Sequence, residues 1–374
     1  MVAELIDVLP SDFAGGTFIG RARSPEGPCV IAVRGGELFD LTAEVATVAG
    51  AVDRRVFTGG RSLGPVENGL PAGWTLLSPV DLQCIKACGV TFAVSAIERV
   101  IEERARGDAA RAAEIRGQLE DKVGTGIRSV VPGGAEAAAL KAALIAEGMW
   151  SQYLEVAIGP DAEVFSKSPV LSTVGPGADI GVRSDSAWNN PEPEIVLVVD
   201  PRGETVGATL GNDVNLRDFE GRSALLLSKA KDNTASCAIG PLIRLFDTEF
   251  TMDDVRRANV DLLIEGEDGY RLEGTNDMGQ ISRDPEDLVA QTLSEHHYPD
   301  GFALFCGTLF APTQDRGEPG AGFTHKPGDV VTISSRRLGT LANRVATCRD
   351  AAPWTMGIAA FTRNLASRGL IDRI

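Results

Sequence analysis

No apolar stretch in the 374 residues approaches the roughly 20 needed to cross a bilayer as a helix. The opening Met1-Val2-Ala3-Glu4 also lacks the basic and then apolar start of a secretory leader. The expectation is a cytoplasmic chain with no membrane partner. Basic runs are missing as well. With 36 lysines and arginines against 52 aspartates and glutamates the formal charge is −16, which repels phosphate backbones, and no local cluster offsets it. Nucleic acid is not an expected partner. The six cysteines, Cys29, Cys84, Cys88, Cys237, Cys306 and Cys348, are scattered and give no disulfide framework. Cys84 and Cys88 have no second Cys or His pair at zinc-finger spacing, so buried apolar thiols are expected. The three histidines, His296, His297 and His325, lie far along the chain from its richest acidic motif.

What is present suits a globular chain of two domains. Hydrophobic residues make up 43% and the mean hydropathy is near zero, enough for a large core. Residues 1–75 read as a small β-rich N-terminal domain with short strands, such as Thr17 to Ala22 and Cys29 to Val33, and a helix near Ala43 to Val52. Arg61 to Pro79, rich in Gly and Pro, reads as a linker. Residues 76–374 form the larger domain. Its segment from about 95 to 150 turns helical and charged and reads as an insertion over a β core, a placement that suits a lid. After Leu154 strands dominate, beginning with Glu155 to Ile158 and including Val260 to Ile264 paired with Tyr270 to Leu272. Asp284-Pro285-Glu286-Asp287 supplies an N-cap, a proline at the first helical position and an acidic first turn. Without βαβ alternation, the class is α+β with a mixed, mostly antiparallel sheet core.

The most informative stretch runs from Asn190 to Asp213. Pro191-Glu192-Pro193-Glu194 leads into the apolar run Ile195 to Val199, then Asp200-Pro201-Arg202-Gly203-Glu204, then Thr205 to Leu210 and Gly211-Asn212-Asp213. The Pro-Arg-Gly turn between two β-prone runs predicts a hairpin. Centring the turn between Arg202 and Gly203 sets Asp200 opposite Thr205, Glu194 opposite Gly211 and Glu192 opposite Asp213. Side chains alternate faces, so Glu192, Glu194 and Asp213 share one. At cross-strand spacings of roughly 5 to 8 Å they can reach one ion, and without it they repel. All-oxygen ligation, with no histidine or thiolate adjacent in sequence, selects Mg2+, Mn2+ or Ca2+ over zinc.

Downstream lie Arg217 and Lys231. A divalent ion and three carboxylates leave one negative charge, and these two cations turn the sum positive, which favours an anionic substrate. A 2-oxo carboxylate fits, because its keto and carboxylate oxygens can chelate the metal together while a lysine stabilises charge that builds on proton loss from C3.

Taken in order, Glu192-Pro193-Glu194, Gly211-Asn212-Asp213-Val214-Asn215-Leu216-Arg217-Asp218, Lys231-Asp232-Asn233-Thr234 and Gly240-Pro241 resemble the core of the fumarylacetoacetate hydrolase superfamily. Gly307-Thr308 followed by Pro312 resembles its Gly-Thr-x-x-Pro loop, and Pro327-Gly328-Asp329-Val330 its following turn. The resemblance implies that Glu192, Glu194 and Asp213 hold the metal, that Lys231 lies beside the substrate keto group and that Thr308 contacts the substrate carboxylate. Arg217 is then a substrate contact or a brace. It also implies association through the β core, as a homodimer or homotetramer.

One departure is informative. Hydrolases of the superfamily carry Gly-x-Asn-Tyr-x-x-His-x-x-Glu, and here the stretch runs from Gly89-Val90-Thr91-Phe92 to Ser95 and Glu98. Ser95 replaces the histidine, and a serine is no near-neutral general base. Glu98, three residues on and on the same helical face, is then the expected shuttle for the C3 proton, with Glu155 and Glu163 as outside candidates. The departure, the insertion and the length resemble the sugar-acid dehydratase branch. The implied reaction converts a 2-keto-3-deoxy-pentonate into 2,5-dioxopentanoate, with acylpyruvate hydrolysis or 2-oxo acid decarboxylation as alternatives.

Overall fold

The computed structural model describes residues 4–374 apart from 94, 107, 109–110, 113–129, 147, 149, 310–311 and 317–321, and apart from the side chains of 97, 98 and 102. Among the described residues two large sheets carry the fold. The longer runs in the order Arg61–Pro65, Glu37–Asp40, Gly27–Arg34, Thr17–Ser24, Cys237–Leu245, Thr205–Asp213, Pro193–Val199, Phe302–Phe305, Cys84–Gly89 and Glu163–Ser168, with Thr75–Leu76 added beside Thr17–Ser24. The shorter runs Arg271–Asp277, Asn259–Glu265, Val330–Ser335, Gly339–Thr347, Asp179–Val182. Pairing is antiparallel except between Phe302–Phe305 and Cys84–Gly89 and between Gly339–Thr347 and Asp179–Val182. The α+β, mostly antiparallel expectation is met.

Period-two alternation explains why the central strand Pro193–Val199 is buried at all seven positions. Ile195, Leu197 and Val199 pack against the shorter sheet, meeting residues such as Leu262, Ile264 and Ile333. Val196 and Val198 point the other way, under the helix Val48–Arg54 with its Val48, Ala51 and Val52. A strand covered on both faces needs an unbroken apolar run, and this one has it. The helices Ser95–Ala105, Ala135–Ala146 and Gln152–Ile158 build a third cluster around Val100, Ile101, Leu144 and Leu154.

Three expectations need amendment. Residues 1–75 do not have a sheet to themselves: Phe18 pairs with Arg244 and Ile19 with Ile243, which fuses the N-terminal strands to the central ones. The stretch read as a linker contains an edge strand, Arg61–Pro65, paired with Glu37–Asp40. Glu155 to Ile158, expected as a strand, ends a helix. Ser151 caps it by accepting from Tyr153 N at 3.2 Å, and Tyr153, Leu154, Ala157 and Ile158 are buried at helical spacing. No helix among the described residues is long and apolar enough to cross a membrane.

Candidate active site

The hairpin forms with Glu194 opposite Gly211, and Asp213 N donates to Glu192 O at 3.0 Å. The register expected at the open end is therefore present. At the turn end it slips: a bulge at Val198/Val199 sets Val199, and not Asp200, opposite Thr205. Asp200 instead closes the turn, accepting from Arg202 N at 2.8 Å and Glu204 N at 3.0 Å.

The three carboxylates Glu192, Glu194 and Asp213 are buried and offer oxygens within 4.8 Å of one another. Each is held by a separate element. Glu194 Oε2 accepts from Gly307 N at 2.6 Å, where the loop turns with φ +91° and a Cβ would lie 2.1 Å from Thr91 Oγ1, so only glycine brings that N–H in. Asp213 Oδ1 lies 2.9 Å from Lys167 Nζ. Glu192 takes Lys231 Nζ on Oε2 at 2.5 Å and the Arg99 guanidinium on Oε1. Lys231 Nζ also reaches Asp213 Oδ2 at 3.0 Å.

Electrostatics follow from this packing. Burial raises Glu194 well above the usual carboxylate range, and the charges of Asp213 and Glu192 add to the effect. Burial also acts to raise Glu192, but Lys231 and Arg99 outweigh it and bring the group down to about 2. For Lys231, burial favours the neutral amine, yet Asp213 and Glu192 overcome it and hold the ammonium above its ordinary range.

Glu163, Glu220, Arg99, Ser95, Phe165 and Thr308 line the same cleft. Glu163 lies at the start of the strand Glu163–Ser168 and folds its carboxylate over Gly89, where a Cβ would sit 2.0 Å from Oε2. Its enclosure, and then the charge of Glu220, push it up to about 7. Fully ionised, the carboxylates Glu163, Glu192, Glu194, Asp213 and Glu220 would exceed the cations Arg99, Lys167 and Lys231 by two negative charges, an excess that Glu194 and Glu163 relieve without an ion by holding their protons more tightly. One divalent ion would balance the same excess, and hard carboxylate oxygens suit Mg2+, Mn2+ or Ca2+. The donor set fits.

The sequence-level site residues separate. Lys231, at the end of the short helix Leu227–Lys231, reaches two of the three carboxylates. Thr308 lines the cleft. Ser95 lines it too, but its hydroxyl donates to Phe92 O at 2.8 Å at the start of the helix Ser95–Ala105. Glu98 belongs to that helix, and its side chain lies outside the described residues. Arg217, only 1% exposed, donates from Nη1 to Pro312 O at 3.0 Å and lies over Trp188 at 5.5 Å. That is the position of a brace for the loop after Thr308.

Sequence reasoning passed over Arg99, Lys167, Glu220 and Asn276. Lys167, fully buried, donates to the main-chain carbonyl of Lys231 as well as pairing with Asp213. Asn276, also fully buried, donates to Pro193 O at 3.1 Å and accepts from Leu309 N at 3.0 Å, tying the Thr308 loop to the ligand-bearing strand. A lysine among the apolar and small residues of a strand, as in Phe165-Ser166-Lys167-Ser168, was the one available signal.

Residues 149–346 match the model of the fumarylacetoacetate (FAA) hydrolase C-terminal family, which covers more than half of the chain. The chain belongs to this family. It is 34% identical over 199 residues to a Haloferax volcanii protein named "Probable 2-keto-3-deoxyxylonate dehydratase", covering 53% of this chain and 65% of that one. It is 33% identical over 186 residues to the 2-dehydro-3-deoxy-D-arabinonate dehydratase of Saccharolobus solfataricus, covering 49% and 58%. The match thus spans less than two thirds of either relative. Among solved structures, 2-keto-3-deoxy-D-arabinonate dehydratase complexed with magnesium and 2,5-dioxopentanoate superposes with a TM-score of 0.64 at 20% identity, over 88% of this chain and 99% of that one. At that identity the likeness concerns the fold.

Proposed function

We propose that this chain is a divalent-metal-dependent hydro-lyase that removes water from a 2-keto-3-deoxy sugar acid, a pentonate giving 2,5-dioxopentanoate. The observation that carries the reading is the buried triad of Glu192, Glu194 and Asp213 with Lys231 Nζ in hydrogen-bond reach of two of its members. A structural ion needs no such lysine. The names of the two curated relatives point to the same substrate class.

Glu192, Glu194 and Asp213 would hold the ion, which would polarise the keto group of a 2-oxo carboxylate and so acidify its C3 hydrogens. Lys231 donates a hydrogen bond to the C2 oxygen as negative charge builds there. Thr308 contacts the carboxylate. Glu163 takes the C3 proton and returns it to the C4 oxygen, which departs as water, so one group serves as base and then as acid. Glu163 is assigned this role because its carboxylate is enclosed in the cleft with the triad. Transfer of a C5 hydrogen to C3 then gives the 4,5-enol, and loss of its hydroxyl proton with protonation at C4 completes the isomerisation to the 5-aldehyde.

Ser95 separates this reading from hydrolysis. Its proton is directed to Phe92 O, so it serves the helix start and does not activate water. The test is incubation of the purified protein with Mg2+ and a panel of 2-keto-3-deoxy sugar acids. Aldehyde formation supports dehydration, and release of pyruvate would favour carbon–carbon cleavage.

A further inference from the structure

The inner part of the cleft is narrow. It has about 30 Å³ of free room, space for roughly two waters at 10 to 15 Å³ each, and it opens outward to solvent. Part of its wall is the helix Ser95–Ala105, which packs on the helix Gln152–Ile158 through the cluster containing Val100 and Leu154. That helix sends Arg99 across the cleft. Its Nη2 meets Glu192 Oε1 and its Nη1 lies 3.4 Å from Glu220 Oε2. The guanidinium thus lies on an oxygen of a candidate metal ligand.

We propose that Arg99 is the anchor for the substrate carboxylate, and that arrival of the metal ion at Glu192 releases it to that task. This inference rests on reading the triad as a metal site for a 2-oxo acid. Each oxygen of Glu192 already carries a cation, Oε1 Arg99 and Oε2 Lys231, so an incoming divalent ion competes with both for one negative charge and weakens their hold. Lys231 retains Asp213 as a second partner. Arg99 retains Glu220, whose main chain is fixed through Tyr153 Oη donating to Glu220 O at 3.4 Å. Freed from Glu192, the guanidinium keeps a pivot on Glu220 and presents its fork to a new carboxylate of the same charge and shape.

Other cations are committed elsewhere. Lys167 is fully buried on Asp213 and the Lys231 carbonyl. Arg217 donates to Pro312 O. Arg283 donates to the carbonyls of Val156, Gly159 and Asp161. Among the described residues, the cations that line the cleft are Arg99 and Lys231. Lys231 serves the C2 oxygen, which leaves Arg99 for C1 together with the Thr308 hydroxyl.

The consequence is a double signature. Arg99 competes with the metal when substrate is absent and cooperates with it when substrate is present, and linkage makes both effects measurable. Calorimetry of the intact protein with Mg2+ alone is the first measurement. Arg99→Gln is expected to bind Mg2+ roughly tenfold more tightly than the parent, within the range of ordinary coupling free energies. The second measurement uses pyruvate, the smallest 2-oxo carboxylate, as an unreactive probe. The parent binds it only with Mg2+ present, and Arg99→Gln is expected to lose that binding by about a hundredfold. Arg99→Lys keeps a charge and recovers part of the pyruvate affinity, which guards against a variant that is merely misfolded. Unchanged or weaker Mg2+ binding in Arg99→Gln, or pyruvate affinity equal to the parent's, overturns the proposal. Neither measurement uses turnover. Loss of the dehydratase reading with both shifts intact would leave Arg99 as the anchor of a different 2-oxo acid enzyme.

Discussion

The hairpin of Pro193–Val199 and Thr205–Asp213 carries buried carboxylates at both ends, and they are held in different ways. At the turn, the side chain of Asp200 is fully buried, with Arg55 at 2.7 Å and Arg202 at 2.6 Å. Two backbone N–H groups also donate to it. Each charge has its complement and each lone pair a donor. At the open end, Glu192, Glu194, Asp213, Glu163 and Glu220 share three cations, and Glu194 is held well above the usual carboxylate range by burial and its neighbours. A buried carboxylate with its partners in place fixes a fold. A buried group of carboxylates short of positive charge calls for a ligand, and the shortfall states the ligand's charge.

The contrast can be broken most sharply at the open end. Glu194→Gln is expected to abolish calorimetric Mg2+ binding and lower kcat/KM by roughly a thousandfold or more, the several kcal/mol a Lewis acid supplies. Retained Mg2+ affinity in this variant would remove the triad as the site. Glu163→Gln is expected to lower kcat by about 10² to 10⁴, the usual share of a general acid–base group, with Mg2+ affinity little changed. The carboxylate has to be ionised to take the C3 proton, and its enclosure beside Glu220 pushes it up to about 7 in the metal-free protein, a value a bound cation lowers. The parent's kcat/KM is therefore expected to fall on an acidic limb at or below about pH 7, and a profile without such a limb down to about pH 5 would contradict the assignment.

At the turn end the expected loss is in stability. Asp200→Ala removes the partner that Arg55 and Arg202 share and leaves the turn N–H groups of Arg202 and Glu204 without their acceptor, and is expected to lower the midpoint of denaturant unfolding. Activity per folded molecule should persist. Equal losses of Mg2+ affinity at Asp200 and Glu194 would erase the distinction between the two ends. Glu163 gives a smaller effect of its own. Its pKa in the folded state lies above the value of 4.5 expected for a free side chain, so the folded protein binds more protons between about pH 4.5 and 7 and loses stability as pH rises through that window. Glu163→Gln removes this loss, and its melting temperature should gain on the parent's from pH 5 to pH 8. Smallest of all, Ser95→Ala should change kcat by less than about threefold, since its hydroxyl is spent on a local hydrogen bond to Phe92 O. A large drop in a steady-state assay would return Ser95 to the chemistry.

How much of this was legible in the sequence depended on the range of the interaction. The open-end register, Glu194 opposite Gly211, was readable because a Pro-Arg-Gly turn and two apolar runs fix it locally. The bulge at Val198/Val199 was not, since Asp200 chooses the turn backbone through hydrogen bonds that spacing does not reveal. Val156-Ala157-Ile158 is too short to separate strand from helix by periodicity, and the deciding cap at Ser151 precedes it. The fusion of residues 1–75 to the central sheet depends on Phe18 meeting Arg244, a pairing with no local signature. Arg99 and Lys167 were missed for the same reason: their partners, Glu192 and Asp213, are distant in sequence, whereas Glu192, Glu194 and Asp213 lie within one hairpin.

The most direct test of the central claim is the product spectrum of the purified protein with a 2-keto-3-deoxy-pentonate, followed by carbon NMR with Mg2+ and again after chelation. The expected result is 2,5-dioxopentanoate with Mg2+ and unreacted substrate without it. Pyruvate as the product, or an aldehyde signal that survives chelation, would contradict a metal-centred dehydration at Glu192, Glu194 and Asp213.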